Sequence, residues 1–176
     1  MNKMYLVSVY FDEKTNRILQ KHIDRISAVS GNHFMTDNHV PPHMTILALE
    51  ARSSSELIPS FEKLKGKIEG CSVNFVTVGQ LFPYVIYAAP VLDDHLRELS
   101  EKAYTCFEDL EDVSASRYYM PGSWLPHVTL GKTLDRQQMR LAFEAMQENF
   151  APFSGRISWI GLASVNPHAD IERFEL

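Results

Sequence analysis

The sequence has few cysteines, no long apolar run and no excess of positive charge. Each lack removes a class of protein. Among 176 residues the only thiols are Cys71 and Cys106, in unlike contexts. Two unrelated cysteines make neither a disulfide framework nor a metal-knuckle pattern, and both are expected to stay reduced in a cytosol. No segment approaches the ~20 apolar residues of a membrane span. The opening MNKMYLVSVY is followed at once by acidic FDEK, and its apolar run is too short for a secretory signal. A cytoplasmic protein with no membrane partner is expected. The net charge is −5 and the sequence pI about 5.8. A protein that grips long nucleic acid by its backbone usually carries a net basic face. The acidic balance therefore points away from a long duplex and toward a small phosphorylated substrate or the end of an RNA.

What is present is ordinary globular composition, 45% hydrophobic and 22% charged, with no Gly/Ser linker and no low-complexity tract. One domain over residues 1–176 can bury a sizeable core. The element order reads β-α-β-α-β-β-α-β-α-β. Strands are expected at Tyr5–Phe11, His43–Leu49, Val73–Gly79, Val85–Ala89, His127–Gly131 and Arg156–Val165, with one more in the tail from Ile171 to Leu176. Helices are expected over Asp12–Val29, from Ser53–Ser55 to about Glu69, over Leu92–Leu110 and over Asp135–Phe150, each with an apolar face at helical spacing. The stretches 30–42 and 112–126 read as loops. Strands outnumber the helices between them and one hairpin is explicit, which indicates an α+β protein with largely antiparallel sheets.

Two segments match each other. Pro41-Pro42-His43-Met44-Thr45-Ile46 and Leu125-Pro126-His127-Val128-Thr129-Leu130 both read proline, histidine, apolar, threonine, apolar. Each ends a loop, opens a strand and is followed by a helix, and they lie about half the chain apart. The repeat suggests two similar lobes related by an approximate two-fold, each giving one strand to a shared cleft. In a strand, residues i and i+2 share a face. His43 and Thr45 then face together, as do His127 and Thr129, while Met44, Ile46, Val128 and Leu130 point into the lobe cores.

Two imidazoles and two hydroxyls suit the cleavage of a phosphate ester. In-line displacement needs a base for the nucleophile's proton and an acid for the departing oxygen. Histidine, with an unperturbed pKa of ~6.5, serves either role near neutrality. Threonine hydroxyls can hydrogen-bond the non-bridging oxygens as charge develops. A lone His-x-Thr at a strand start is more often a satisfied polar residue at a sheet end. Two copies, both after proline and at matched places, are hard to explain that way.

These motifs, HMTI at 43–46 and HVTL at 127–130, resemble those of the two-histidine (2H) phosphoesterases, a superfamily that includes 2′-5′ RNA ligase-like proteins and cyclic phosphodiesterases. The resemblance covers nearly the whole chain in element order. It implies a bilobal α+β fold, with two antiparallel sheets flanking a central cleft and helices outside. It also implies His43, Thr45, His127 and Thr129 as a catalytic quartet, with no metal. The expected partner is a small nucleotide or RNA end; no cofactor is expected, and the chain is expected to be a monomer. Many ligase-like members carry a basic residue, usually arginine, three positions after the second threonine; here it is Lys132. A lysine can neutralise phosphate as a point charge but lacks arginine's fork.

The loop before the second motif holds Arg117, Tyr118, Tyr119 and Trp124. Next to a phosphate site, Arg117, Tyr119 and Trp124 suit holding a charge and stacking on a base, although aromatic clusters more often pack a core. Phe82-Pro83-Tyr84 reads as an ordinary hairpin turn. His33, His39 and His43 crowd together without matching a closed zinc pattern. His22, His95 and His168 have no motif around them and read as surface residues. Cys71 and Cys106 read as small buried hydrophobes.

Overall fold

The computed structural model describes residues 2–165 and 168–176. Eight strands and five α-helices follow in the order β1 (Lys3–Phe11), α1 (Glu13–Ser30), α2 (Phe34–Asp37), β2 (Met44–Ala51), α3 (Ile58–Glu62), β3 (Ser72–Leu81), β4 (Val85–Pro90), α4 (Asp94–Phe107), β5 (Ser114–Ala115), β6 (Val128–Gly131), α5 (Arg136–Asn149), β7 (Phe153–Ser164) and β8 (Ala169–Glu175). Among the described residues every strand pairing is antiparallel. The fold is α+β.

The two expected sheets share a strand. β7 is twelve residues long. Its first part, from Phe153 to Arg156, pairs with β3; the rest, from Ile157 onward, pairs with β1 and β8. The path therefore runs β5-β2-β1-β7-β3-β4-β6 without a break, with β8 joined to β7 beside it. The first histidine motif lies on β2 near one end of this path, and the second on β6 at the other. Buried apolar residues from both halves form one continuous cluster.

The helices follow from local chemistry. α1 starts where Asp12 accepts from the Thr15 backbone N–H, and ends at Gly31, whose φ of 71° is the left-handed value glycine adopts without strain. α5 opens on a reciprocal capping box between Asp135 and Gln138. α4 is capped by Asp93. The helix expected to reach Glu69 is shorter. Its α-helical part stops at Glu62, and residues 63–67 continue as turns in which the amides of Leu64, Lys65 and Lys67 reach three residues back. The polar run of lysines up to Gly66, which has φ +76°, gives little helical support. The apolar spacing still holds, since Leu57, Phe61, Leu64 and Ile68 are all buried.

The expected loop at 112–126 is more ordered than its composition suggests. Ser114 and Ala115 pair with Glu50 and Leu49, and the Ser116 amide donates to the Ala48 carbonyl at 2.8 Å. This segment runs along the outer edge of β2, so the approach to the second motif is laid against the strand that carries the first.

Candidate active site

The two motifs share three local features. Met44, Ile46, Val128 and Leu130 are fully buried, so the alternation turns the histidines and threonines to the other face. Each motif also contains a bulge in the same place. In β2, Val7 pairs with Leu47 and Ser8 with Thr45, so Ile46 is the extra residue. In β6, Ile86 pairs with Gly131 and Tyr87 with Thr129, so Leu130 is the extra residue. A bulge bends its strand and re-aims nearby side chains. Here it directly follows the threonine both times.

The third shared feature sets the rings. His43 Nδ1 lies 2.8 Å from the Pro41 carbonyl oxygen, and His127 Nδ1 lies 2.8 Å from the Leu125 carbonyl oxygen. A carbonyl only accepts, so each Nδ1 carries the hydrogen. In the neutral ring Nε2 is then the basic nitrogen, and among the described residues it has no hydrogen-bond partner. Burial lowers the pKa of both histidines. The Pro41 hydrogen bond offsets part of this at His43, while His168, His127 and Lys132 add repulsion to its charged form. At His127 the Leu125 hydrogen bond is the offsetting effect. Thus His43 feels His127 and Lys132, although they come from the other half of the chain.

The threonines differ. Thr45 is buried and its hydroxyl shares a 3.1 Å hydrogen bond with Ser8 on β1. Thr129 is half-buried, with no hydrogen-bond partner for its hydroxyl among the described residues. Lys132 is exposed, with Nζ 5.7 Å from the centre of the Phe34 ring.

The aromatic loop separates into different places. Trp124 is only 7% exposed, and its Nε1 donates to the Thr45 carbonyl at 3.0 Å. It is therefore not a ring offered for base stacking but a brace under the first motif. Tyr119 is half-buried against the core. Arg117 is exposed and turned onto its neighbour, with Nη2 donating to the Tyr118 hydroxyl at 2.8 Å and the guanidinium 4.8 Å from that ring's centre. Nothing in these contacts joins Arg117 or Tyr119 to the histidines.

Several neighbours had no motif to announce them. His168, exposed as expected, also stacks on His43 with ring centroids 6.4 Å apart. Tyr10 lies 6.2 Å from His43, and Tyr87 meets His127 edge-on at 5.4 Å. Both tyrosines lie over glycines. A Cβ at Gly79 would run into the Tyr87 ring, and one at Gly161 would come 3.0 Å from the Tyr10 ring. An isolated glycine inside a strand signals such a close approach. Those two positions were the available clue, but only the strand register names the visitor.

Of the crowded histidines, His33 has its Nδ1 2.6 Å from the Ser27 hydroxyl, and His43 is turned to Pro41. Among the described residues no three His, Cys, Asp or Glu side chains are grouped to hold a metal.

The family model of the 2′-5′ RNA ligase superfamily matches residues 17–168, a span that includes both motifs. The chain belongs to that superfamily. No curated protein matches the sequence. Among solved structures, Escherichia coli LigT complexed with 3′-AMP is similar over 100% of this chain and 99% of its own, at 14% identity and a TM-score of 0.64. Thermus thermophilus TT0787 is similar over 100% and 98%, at 17% identity and 0.64. Kluyveromyces marxianus Usb1 is similar over 99% and 98%, at 16% identity and 0.52. At these identities the likeness is one of fold, and it extends along the whole chain, as expected for a member of this superfamily.

Proposed function

We propose that this superfamily member is a metal-independent phosphodiesterase. Its substrate in this reading is a phosphodiester, cyclic in the simplest case, on a small nucleotide or RNA end. The observation that carries the reading is the matched pair of histidines, each with Nδ1 held by a carbonyl and Nε2 left for chemistry. One neutral Nε2 takes a proton from water as the water oxygen bonds to phosphorus. The other ring, starting as the imidazolium, gives its Nε2 proton to the departing ester oxygen as the P–O bond breaks. One proton is taken and one given, so proton exchange with solvent resets the pair. In this reading the Thr45 and Thr129 hydroxyls hydrogen-bond the non-bridging oxygens, and Lys132 adds positive charge. That E. coli LigT is seen with 3′-AMP supports a nucleotide as the ligand class. The bilobal chain is proposed to work as a single domain and as a monomer, since each half supplies one histidine.

Hydrolysis of a panel of 2′,3′-cyclic nucleotides in excess EDTA tests this. The wild type should turn over, and His43→Ala and His127→Ala should each lose most of the rate. A wild type that binds a cyclic nucleotide without converting it would make the protein a binding module instead. Loss of the wild-type rate on chelation would remove the metal-free mechanism.

A further inference from the structure

A row of four residues crosses the sheet in register. Thr45 on β2 faces Ser8 on β1, Ser8 faces Gly161 on β7, and Gly161 faces Arg173 on β8. Residues directly opposite in neighbouring strands share a face, so Arg173 rises from the same face as Thr45 and His43. Gly161, between them, has no side chain of its own, and the Tyr10 ring lies over it. The Arg173 guanidinium carbon lies 4.2 Å from the centre of the Tyr10 ring and 5.1 Å from that of Trp159. Tyr10 in turn is the ring beside His43.

We propose that Arg173, seated on Tyr10 and Trp159, forms a second phosphate subsite next to the histidine pair and selects substrates that carry a phosphate beyond the one being cleaved. The placement of the scissile phosphate rests on the function proposed above.

Two aromatic faces fix the plane of the guanidinium and shed part of its hydration, which favours two-pronged binding of a phosphate. Among the described residues its N–H groups have neither a hydrogen-bond nor an ion-pair partner. Arg17 and Arg97, by contrast, are engaged by Glu13 and Asp94; what sets Arg173 apart is its seat on two rings. Two acidic groups on β8 share this face: Asp170, which acts on Tyr10 and lies 3.7 Å from His168, and Glu175, opposite Trp159 and two residues beyond Arg173. Burial and Asp170 together push the Tyr10 hydroxyl up to about 12, so it stays a donor throughout the neutral range. In a chain of net charge −5, Lys132 is the cation that acts on His43 directly, and Arg173 lies one ring further out, against Tyr10. Cleaving a single ester does not need a cation this far along the sheet, whereas a second phosphate does.

Calorimetric binding of adenosine 3′-monophosphate and adenosine 3′,5′-bisphosphate tests the subsite without turnover. The wild type should bind the bisphosphate roughly tenfold or more tighter, the size of one charge-assisted contact. Arg173→Gln should erase that gain and leave the monophosphate affinity unchanged, with an unaltered melting curve. Arg173→Lys should keep part of it. A dinucleotide ending in a 3′-phosphate carries an internal diester in place of the 5′-monoester. If it gains more than the bisphosphate, the subsite serves an RNA end; if less, a free nucleotide. Equal wild-type affinity for mono- and bisphosphate, an Arg173→Gln variant that keeps the gain, or no binding of any probe would overturn the subsite. If the bisphosphate gain and its dependence on Arg173 hold while cyclic nucleotides are not hydrolysed, the subsite stands and the proposed reaction fails.

Discussion

Trp124 donates its indole N–H to the Thr45 carbonyl oxygen at 3.0 Å, anchoring the segment that leads into the second motif on the strand that carries the first. Trp124→Phe should therefore act in two ways. Losing the hydrogen bond from a buried site should cost about 1–3 kcal/mol of stability. Freeing Thr45 and the approach to His127 should lower kcat more than it changes KM. Thermal unfolding and steady-state kinetics check both. An unchanged kcat would reduce Trp124 to a core residue.

The two threonines should respond unequally to loss of the hydroxyl. Thr45→Val leaves the buried Ser8 hydroxyl without its 3.1 Å partner, and about 1–3 kcal/mol of stability should go with it. Thr129 has no such partner among the described residues, so Thr129→Val should leave the melting temperature within a degree or so of wild type. Both variants should lose rate. A Thr129→Val variant that melts early but hydrolyses normally would contradict the assignment.

Acidity should shape the rate as a bell whose two apparent pKa values belong to the histidine pair. Burial lowers both from 6.5. The base then stays neutral below that pH, and the acid loses its proton sooner as pH rises. In the free enzyme the optimum of kcat/KM should sit on the acid side of about 6.5. A bound phosphate anion favours the charged ring, so the kcat profile should peak at higher pH than kcat/KM. A rate climbing steadily from about pH 5 to about pH 9 would rule out paired acid–base work.

Stability should fall on acidification through the same groups. His22, expected at the surface, is instead buried beside the Phe150 ring at 5.4 Å, and its pKa is lowered by burial as those of His43 and His127 are. The unfolded chain, with ordinary histidines, binds protons that the folded chain resists. Stability contributed by keeping these rings neutral is complete above about 6.5 and is lost as pH drops below it, toward the folded values. Melting temperatures taken from about pH 7.5 to about pH 5.5 should decline, and His22→Gln should flatten the slope. A wild-type melting temperature flat over that range would refute the linkage.

The α+β class, most of the elements and the paired motifs were legible because they rest on short-range patterns. Apolar spacing marked α1, α4 and α5, and the proline-led His-x-Thr repeat marked β2 and β6. Lengths were less secure where local signals conflicted, as in α3, where the apolar stripe runs on past the last true helical turn. The aromatic loop misled for a related reason. Composition shows that Trp124 is large and carries one donor, but not whether the ring faces a ligand or lies under a strand.

The sequence alone determined which chemistry-bearing residues exist, where they sit in their own strands, and the superfamily they announce, because strand alternation and turn residues act over only a few positions. Tertiary structure decided what surrounds them. The bulges at Ile46 and Leu130, the Ser8 partner of Thr45, the stacking of His168 on His43 and the line from Thr45 to Arg173 all depend on which residue of one strand lies opposite which residue of another. That register is set by burying both halves against a common core, and no local segment carries it.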